Sequence, residues 1–462
     1  VSYAMSAYLI AEVVIIPFAG WLSRLLSIRV LFFIALSGFL IACLGCGLTN
    51  NFYLLVMFRI MQGFFGGALM PLMFSCIYIL FTPRQLPFAL ALTATIGWSS
   101  IAFGPVIGGF MTEMISWRWM FLFNLPIGVI ILIFAYFFVD LNDKEPELAK
   151  RIDYYGIALL AVALLSLLIT LQEGSRLDWF YAAEIRIAII ISITCFILFT
   201  IRELTTKYPI IDLKIFGDKN FIIGCVNVIV FGIIIYAPIF LLPVYLGEVR
   251  GIGPWEIGIM VSVMGMASML IGPFVGILLN FFGPKLLIIS GCLFAIVGTW
   301  QLSFLTSEFG FEELFLPQVL RGIGSQLLWI GNQYLAMQFV LQSGVQNAAS
   351  VFNLVLRGGG AVSIAVANIF LEKLSIISYG DISNIISNGP QVISGIKQKM
   401  EGIFSSLPMI SNLDPNYKTI IAAEMLGQRE AFIIAVNNIM FIIVWIALIP
   451  IILIPFCKKE VK

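Results

Sequence analysis

Histidine is absent from this sequence of 462 residues, and charged residues make up only 11% of it, against about 25% in soluble proteins. Without histidine, imidazole-based zinc sites, histidine proton relays and serine–histidine triads are excluded. The sequence has no nucleotide-binding glycine loop. Its net charge is +1 and it offers no basic face, so nucleic acid is not an expected partner. We expect neither an enzyme nor a bound metal or cofactor.

Apolar residues are abundant instead: they form 61% of the chain, and the mean hydropathy is +1.05. Windows of roughly 18 to 25 apolar residues can cross a bilayer as helices. Thirteen occur, at residues 4–22, 30–48, 54–80, 87–110, 118–139, 156–172, 185–201, 220–245, 256–279, 286–305, 314–339, 348–371 and 431–456. The sequence predicts an all-α polytopic membrane protein with 13 transmembrane helices in a lipid bilayer.

An internal repeat divides the chain into two halves. The segment PFAGWLSRLLSIR (Pro17–Arg29) recurs as PFVGILLNFFGPK (Pro273–Lys285) at an offset of 256, and Arg59–Gly63 corresponds to Gln318–Gly322 at an offset of 259. Duplicated halves are typical of secondary transporters. We therefore predict two pseudo-symmetric six-helix bundles, with two extra helices between them.

The domains follow from the repeat. We assign residues 1–139 to the N-terminal bundle (helices 2 to 6), 140–217 to a linker region with the two extra transmembrane helices, and 218–462 to the C-terminal bundle, including a long periplasmic loop at 372–430. The window 220–245 precedes the second copy of the repeat, and the first copy has no counterpart. We therefore expect a further helix upstream of Val1 and 14 helices in the full-length protein.

The distribution of lysine and arginine predicts the orientation. If the loop after the first window is cytoplasmic, fourteen of these residues lie on that side and four on the other. Because cationic loops stay in the cytoplasm, the C-terminus should be cytoplasmic. The protein would then be a multi-pass protein of the inner (plasma) membrane.

Glu12 is the acidic residue that the windows place deep in a helix. A fixed charge there costs about 2.5 to 3.5 kcal/mol on insertion scales, so Glu12 should face a cavity or be protonated. Pro17 leaves the carbonyl of Val13 without its helical donor, which loosens the same helix. Two interpretations stay open: Glu12 carries a coupling proton, or it is the structural partner of an arginine such as Arg59.

Arg59 begins the segment RIMQGFFGGA in the third window. Helical spacing places Arg59 on one face with Gln62 or Gly63 and Gly66 or Gly67, so a cation lies above a glycine groove that a neighbouring helix can approach closely. Either this arginine anchors its helix, or it tunes a proton site.

A stripe of glycines occurs in GWSSIAFGPVIGGF (Gly97–Phe110). Gly97, Gly104 and Gly108 share one helical face, and Pro105 removes a backbone hydrogen bond and permits a bend. Such a helix can pivot against its neighbours. The alternative is a simple close-packing site of the Gly-x-x-x-Gly type.

These segments resemble motifs of the major facilitator superfamily: GWLSRLLSIR its loop motif, RIMQG its fourth-helix arginine motif and GPVIGG its antiporter motif. WRWMFLFNLPIG (Trp117–Gly128), RIDYYG (Arg151–Gly156) and PIIDLKIF (Pro209–Phe216) are similar to the fourteen-helix drug:proton antiporters of the EmrB/QacA type. The resemblance covers essentially the whole chain. It implies a major facilitator fold and proton-coupled multidrug efflux, in which alternating access exports amphipathic toxic compounds and the proton gradient supplies the energy.

The resemblance also assigns residues. Arg59 corresponds to the arginine linked to proton transfer. Gly104, Pro105, Gly108 and Gly109 correspond to the antiporter motif, and the loop motif falls on Gly20, Arg24 and Arg29 and, in the second copy, on Gly276, Asn280 and Lys285. The family usually has an aspartate where Arg24 and Asn280 stand and a glycine where Ser27 stands, which weakens the expectation of a charge-relay gate between the bundles.

Substrates and partners are less specified. We expect Tyr78, Trp98 and Phe103 to line a central apolar cavity, and Asp153 to cap a helix. The resemblance implies that the loop 372–430 docks an EmrA-like periplasmic adaptor leading to a TolC-like outer-membrane channel. The alternative functions are export of an endogenous metabolite such as a fatty acid or siderophore and, much less favoured, a membrane enzyme or sensor.

Overall fold

The computed structural model describes residues 2–82, 84–140, 153–174, 176–177, 179–206, 209, 211, 213–338, 340, 345–388 and 415–457, and these residues contain no β-strand. The helices are α1 (Ser2–Leu26), α2 (Ile28–Leu48), α3 (Phe52–Leu80), α4 (Leu86–Met114), α5 (Trp119–Leu122), α6 (Asn124–Phe138), α7 (Tyr154–Glu173), α8 (Ala183–Thr205), α9 (Lys219–Glu248), α10 (Pro254–Gln301), α11 (Phe311–Met337), α12 (Val345–Asn388), α13 (Pro415–Ile446) and α14 (Ile449–Leu453).

Eleven helical stretches in the described part of the chain are long and apolar enough to span a membrane. One of them is α10, which contains two of the predicted windows on either side of a break at Gly283. α11 does not qualify because polar residues such as Gln326 and Asn332 lower its hydropathy, although both are fully buried. Each predicted window overlaps at least one helix of the structure. The all-α polytopic fold is confirmed, and the total number of spans stays a prediction.

The outer surface of the helices is apolar. On α6, the side chains of Tyr136, Phe137 and Phe138 are 63%, 73% and 78% exposed. Water would disfavour such a surface, whereas lipid tails are as apolar as these side chains. The surface is that of a multi-pass membrane protein.

The helices form an N-terminal group, α1 to α6, and a C-terminal group, α9 to α14. Within them, α3 packs against α1 and α2, α10 against α11, and α9 against α12. The groups meet along a first seam, α1 against α12, and a second seam, α4 against α10. α7 and α8 pack on each other, and α7 also contacts α1 and α12, which places this pair beside the first seam.

The repeat extends to the backbone conformation. Ser27 has φ 83° and ψ 155°, and Gly283, its equivalent 256 residues later, has φ 73° and ψ 167°. The closing cations also act alike. Arg29 donates to the carbonyl of Tyr136 near the end of α6 (2.8 Å), and Lys285 donates to that of Cys457 beyond α14 (3.1 Å). Each loop is thereby tied to the last helix of its own group.

The predicted loop 372–430 is helical at both of its ends. α12 continues to Asn388, and α13 begins at Pro415. The apolar window ended where polar residues enter the sequence, but no proline follows Leu371 within α12, so the helix continues. Residues 389–414 lie outside the described part of the chain.

Asp153 caps α7 as predicted, because its carboxylate accepts a hydrogen bond from the backbone N–H of Gly156 (3.1 Å). It also forms an ion pair with Arg202 of α8, with 2.8 Å between Oδ2 and Nε. Burial raises the pKa of Asp153, but the hydrogen bonds and the charge of Arg202 outweigh it and hold that pKa below its usual range. The N-terminus of α7 is thus joined to the C-terminal end of α8.

Candidate functional site

Glu12 is buried at the first seam and forms an ion pair with Arg357 of α12. The distance from Oε1 of Glu12 to Nη2 of Arg357 is 3.3 Å, and the two side chains are 7% and 26% exposed. A buried carboxylate is tolerated when it pairs with a cation, here the half-buried guanidinium of Arg357. The pair therefore joins the N-terminal and C-terminal groups through one charge from each.

Two tyrosines complete the surroundings of this pair. Tyr8 lies one helical turn before Glu12 and interacts electrostatically with Glu12, Arg357 and Arg59. Tyr236 of α9 interacts with Arg357, and its ring would contact a Cβ added at Gly360. The site thus draws on α1, α3, α9 and α12.

Arg59 is not the partner of Glu12, which corrects one of the two interpretations made from the sequence. Its Nη1 donates to Oε1 of Gln62 (3.0 Å), and its guanidinium lies over the rings of Tyr8 and Phe121 at 5.2 and 5.1 Å. Tyr8 stands between the two charges, so Arg59 contacts the acid site only indirectly. An anchoring role fits these contacts, and a role in proton transfer stays a prediction.

The glycine groove below Arg59 is confirmed. A Cβ added at Gly63 would collide with the carbonyl oxygen of Tyr8, and one at Gly67 would lie 2.5 Å from that of Glu12. Glycine at these two positions lets α1 approach α3 backbone to backbone. This contact fixes the position of α1, and therefore of Glu12, along α3.

Arg357 was missed in the sequence analysis, although a signal was present. It is the sole charged residue in the window 348–371, and an ionisable residue within a membrane span is by default a functional candidate. Pairing across the two halves requires the packing of α1 against α12, which sequence spacing does not reveal.

The second seam corrects the predicted role of the glycine stripe. Nothing in the described residues lies within 4 Å of a Cβ added at Gly97 or Gly104, and Gly108 meets only the sulfur of Met120 at 3.9 Å. These three glycines therefore do not pack against α10. Gly109 does, since its Cβ would lie 2.9 Å from the carbonyl oxygen of Pro254.

The glycines that close this seam belong to α10. Gly258, Gly265 and Gly272 repeat every seven residues. Cβ atoms added there would press on Pro105, Ala102 and Thr95 of α4 respectively. A seven-residue spacing keeps one face of a helix toward a partner, so α10 offers α4 a smooth contact surface. The pivot of α4 stays a prediction, and the smooth surface at this seam belongs to α10.

The loop-motif residues lie at the ends of helices. Gly20 and Gly276 are buried, Asn280 is exposed, and Nε of Arg24 is buried without a hydrogen-bond partner among the described residues. Arg29 also pairs with Asp140 at 3.4 Å. The charges of this motif therefore contact their own group, in keeping with the weakened expectation of a charge-relay gate.

The cavity candidates separate into two sets. Trp98 is buried and belongs to an aromatic cluster that we define as Phe74, Trp98, Phe231, Trp329 and Phe352. Trp329 lies at the centre of this cluster, with its ring centroid 5.5 Å from that of Phe231, 6.1 Å from that of Phe74 and 6.2 Å from that of Phe352. The ring of Trp98 joins the cluster through Phe231, at 6.5 Å between centroids. This cluster connects α3 and α4 to the C-terminal group.

The remaining candidates differ in position. Tyr78 is buried, and its hydroxyl has no hydrogen-bond partner among the described residues. Phe103 is 47% exposed and does not belong to the aromatic cluster. The role of Phe103 in a central cavity stays a prediction.

Comparisons with known proteins agree with this architecture. The family model described as Major Facilitator Superfamily matches residues 1–364. The colistin resistance protein EmrB of Acinetobacter baumannii is 33% identical over 375 residues, covering 81% of this chain and 73% of its own. The fatty acid resistance protein FarB of Neisseria gonorrhoeae is 27% identical over 459 residues, covering 97% and 89%.

A solved structure shares the fold. The human organic anion transporter MFSD10 (TETRAN) aligns with a TM-score of 0.56 at 12% identity, covering 96% of this chain and 83% of its own. Together with the family match over most of the chain and the membrane-spanning helices, this likeness indicates a transporter. The chain belongs to the Major Facilitator Superfamily.

Proposed function

We propose that the protein exports amphipathic toxic compounds across the inner membrane in exchange for protons, by alternating access between its N-terminal and C-terminal groups. The observation that carries this proposal is the ion pair of Glu12 and Arg357, which joins the two groups across the first seam. The proton gradient supplies the energy, with no cofactor, and the C-terminus faces the cytoplasm.

Protonation of Glu12 changes the contact between the groups. The charged carboxylate holds Arg357 across the seam, and the neutral acid leaves that guanidinium without its counter-ion. The first seam is then weaker, which favours separation of α1 from α12. A site that loads a proton from one side and releases it to the other can in this way drive the rearrangement.

The energy available is sufficient for export. One proton moving through about 150 mV releases roughly 3.5 kcal/mol. That energy maintains a substrate concentration ratio of about 300 when coupling is tight. A single carboxyl such as Glu12 therefore meets the requirement.

The test is a transport assay in proteoliposomes with an amphipathic fluorescent dye and an imposed proton gradient. The Glu12→Gln variant keeps the shape of the side chain but cannot ionise, so gradient-driven dye transport should be lost while dye binding is retained. Glu184→Gln, at an exposed position in the first turn of α8, is the matched control and should transport normally. Gradient-driven transport by Glu12→Gln equal to that of the wild type would remove Glu12 from the mechanism.

A second candidate is export of fatty acids, which is favoured by the similarity to a protein named for fatty acid resistance over 97% of this chain. Cells that express the protein would then survive long-chain fatty acids better than cells without it, with no change in their sensitivity to dyes. Protection against several unrelated dyes favours the multidrug proposal instead.

We also propose that the segment 372–430, which includes the end of α12 and the beginning of α13, docks a periplasmic adaptor leading to an outer-membrane channel, as its length suggests. Deleting residues 389–414 should leave dye transport in proteoliposomes unchanged and reduce export from whole cells to the medium. Equal export from cells with and without the deletion would contradict this docking role.

A further inference from the structure

Arg321 of α11 is a fully buried cation. Its Nη1 donates to Oε1 of Gln318 (2.8 Å), its Nη2 donates to the carbonyl oxygen of Ile234 (3.2 Å), and its Nε has no hydrogen-bond partner among the described residues. None of the carboxylates in the described part of the chain forms an ion pair with it. A buried charge without a counter-ion is costly, so its hydrogen bonds should serve a purpose.

The carbonyl of Ile234 has no helical hydrogen-bond donor, because the residue that would supply it is a proline. Pro238 stands four residues later in α9, and proline has no N–H to give to the carbonyl of residue i−4. A buried carbonyl without a donor would cost about 1–3 kcal/mol. Arg321 supplies the missing hydrogen bond from a different helix.

A second proline in α9 provides the contrast. Pro243 frees the carbonyl of Ile239 in the same way, but no side chain of the described residues donates to that oxygen. The pairing of an arginine with a proline-freed carbonyl is therefore specific to Ile234. Gly298 of α10 makes room for it, because a Cβ there would lie 2.7 Å from Cγ of Arg321.

The break in the hydrogen-bond ladder of α9 at Pro238 follows closely on two contacts that matter for rearrangement. Phe231, on its N-terminal side, belongs to the aromatic cluster and reaches Trp98 of the N-terminal group. Tyr236, beside the break, interacts with Arg357 of the first seam. A bend at this point in α9 therefore changes both contacts together.

We propose that Arg321 is a positioning residue that replaces the hydrogen bond lost at Pro238, so that α9 stays stable at its break and bends there as the two groups rearrange. The inference rests on transport by this rearrangement and not on proton coupling. In this proposal Arg321 donates to a backbone carbonyl that a proline has freed. Arg59 does not share this role, since it contacts aromatic rings and Gln62.

The test combines Arg321→Met with Pro238→Ala. Arg321→Met leaves the carbonyl of Ile234 without a donor and should lower Tm in detergent by about 5 °C. Adding Pro238→Ala restores the backbone donor at position 238, so Tm should return toward the wild-type value. Transport, measured as energy-independent dye exchange, should stay reduced about 10-fold or more in the double variant, because the hydrogen-bond ladder of α9 is then unbroken at position 238 and resists bending.

The control is Arg321→Met combined with Pro243→Ala, which restores a donor to the wrong carbonyl and should not recover Tm. The proposal is overturned if Pro238→Ala fails to restore Tm, or if it restores Tm and dye exchange together, since the arginine would then be purely structural. The Tm comparison needs no substrate. The Tm comparison therefore tests the hydrogen bond between Arg321 and Ile234 even if the wild-type protein does not transport the dye. Absence of dye transport by the wild type would count against the proposed function instead.

Discussion

Ser27 occupies a backbone conformation that suits glycine, and its replacement by glycine should stabilise the protein. With φ 83° and ψ 155°, Ser27 lies in a region that is essentially restricted to glycine, where another residue costs about 1–3 kcal/mol. The equivalent position in the second half is Gly283, with φ 73° and ψ 167°. The same turn is therefore strained in the first half, where serine occupies it, and unstrained in the second half, where glycine does.

The magnitude follows from three contributions. Ser27→Gly relieves the strain of about 1–3 kcal/mol. It also removes the cap that the Ser27 hydroxyl forms with the N–H of Val30 (3.3 Å), which costs only a few tenths of a kcal/mol when glycine is the replacement. Glycine also gives the unfolded chain more conformational freedom, which lowers the free energy of unfolding by about 0.4–1 kcal/mol. The net gain should be about 1 kcal/mol, and Gly283→Ser should lose about as much.

The assay is thermal unfolding of the purified protein in detergent, followed by tryptophan fluorescence. A gain of about 1 kcal/mol should raise Tm by roughly 2 °C, and Gly283→Ser should lower it by a similar amount. Gly217→Ser is the matched control, because its Cβ would meet open space and its φ is not positive. A lower Tm for Ser27→Gly would refute the reasoning, since the cap would then outweigh the strain.

Two further predictions concern the second seam and the extra helices. Gly265→Ala should lower the free energy of unfolding by about 1–3 kcal/mol because its Cβ would collide with the backbone of Ala102. Gly104→Ala places its Cβ in open space and should keep or raise Tm, since alanine has the better helix propensity. Equal losses of stability for both variants would contradict the contact described for α10. Hydrogen bonds hold the pKa of Asp153 below its usual range despite its burial, so the stability it contributes is complete above about pH 4 and is lost as pH falls through its folded pKa. Asp153→Asn should therefore abolish this part of the acid sensitivity, measured as Tm against pH with Glu184→Gln as the control, and an unchanged pH profile would show that the ion pair with Arg202 contributes nothing.

The sequence was sufficient for the elements that depend on local pattern. The apolar windows correspond to helices, and the repeat reappears in the backbone of Ser27 and Gly283 and in the parallel roles of Arg29 and Lys285. Asp153 caps α7 because capping involves residues only three apart. Hydropathy, helix caps and repeat offsets are local properties, so they can be predicted without knowing which helices meet.

Contacts between helices were harder to predict, and the glycines of α4 show why. Gly97 and Gly104 looked like a packing stripe, but a small residue permits a close approach without specifying which helix approaches. The close contact is made instead by Gly258, Gly265 and Gly272 of α10. Their seven-residue spacing was visible in the sequence, but their partner helix became clear only from the fold.

The same limit explains the difference between the two halves. Glu12 and Ser268 are equivalent by the offset of 256, yet they face different partners. Ser268 lies within 2.7 Å of the carbonyl oxygen of Gly322 and 3.0 Å of the hydroxyl of Ser325, so it joins α10 to α11 inside one group. Glu12 instead pairs with Arg357 across the first seam. The contacts of Ser268 lie inside one group, whereas the charge of Glu12 lies at the contact between the groups, which the proposed alternating access requires to open. If the proposed proton exchange holds, this asymmetry assigns its proton-sensitive step to the first half of the repeat.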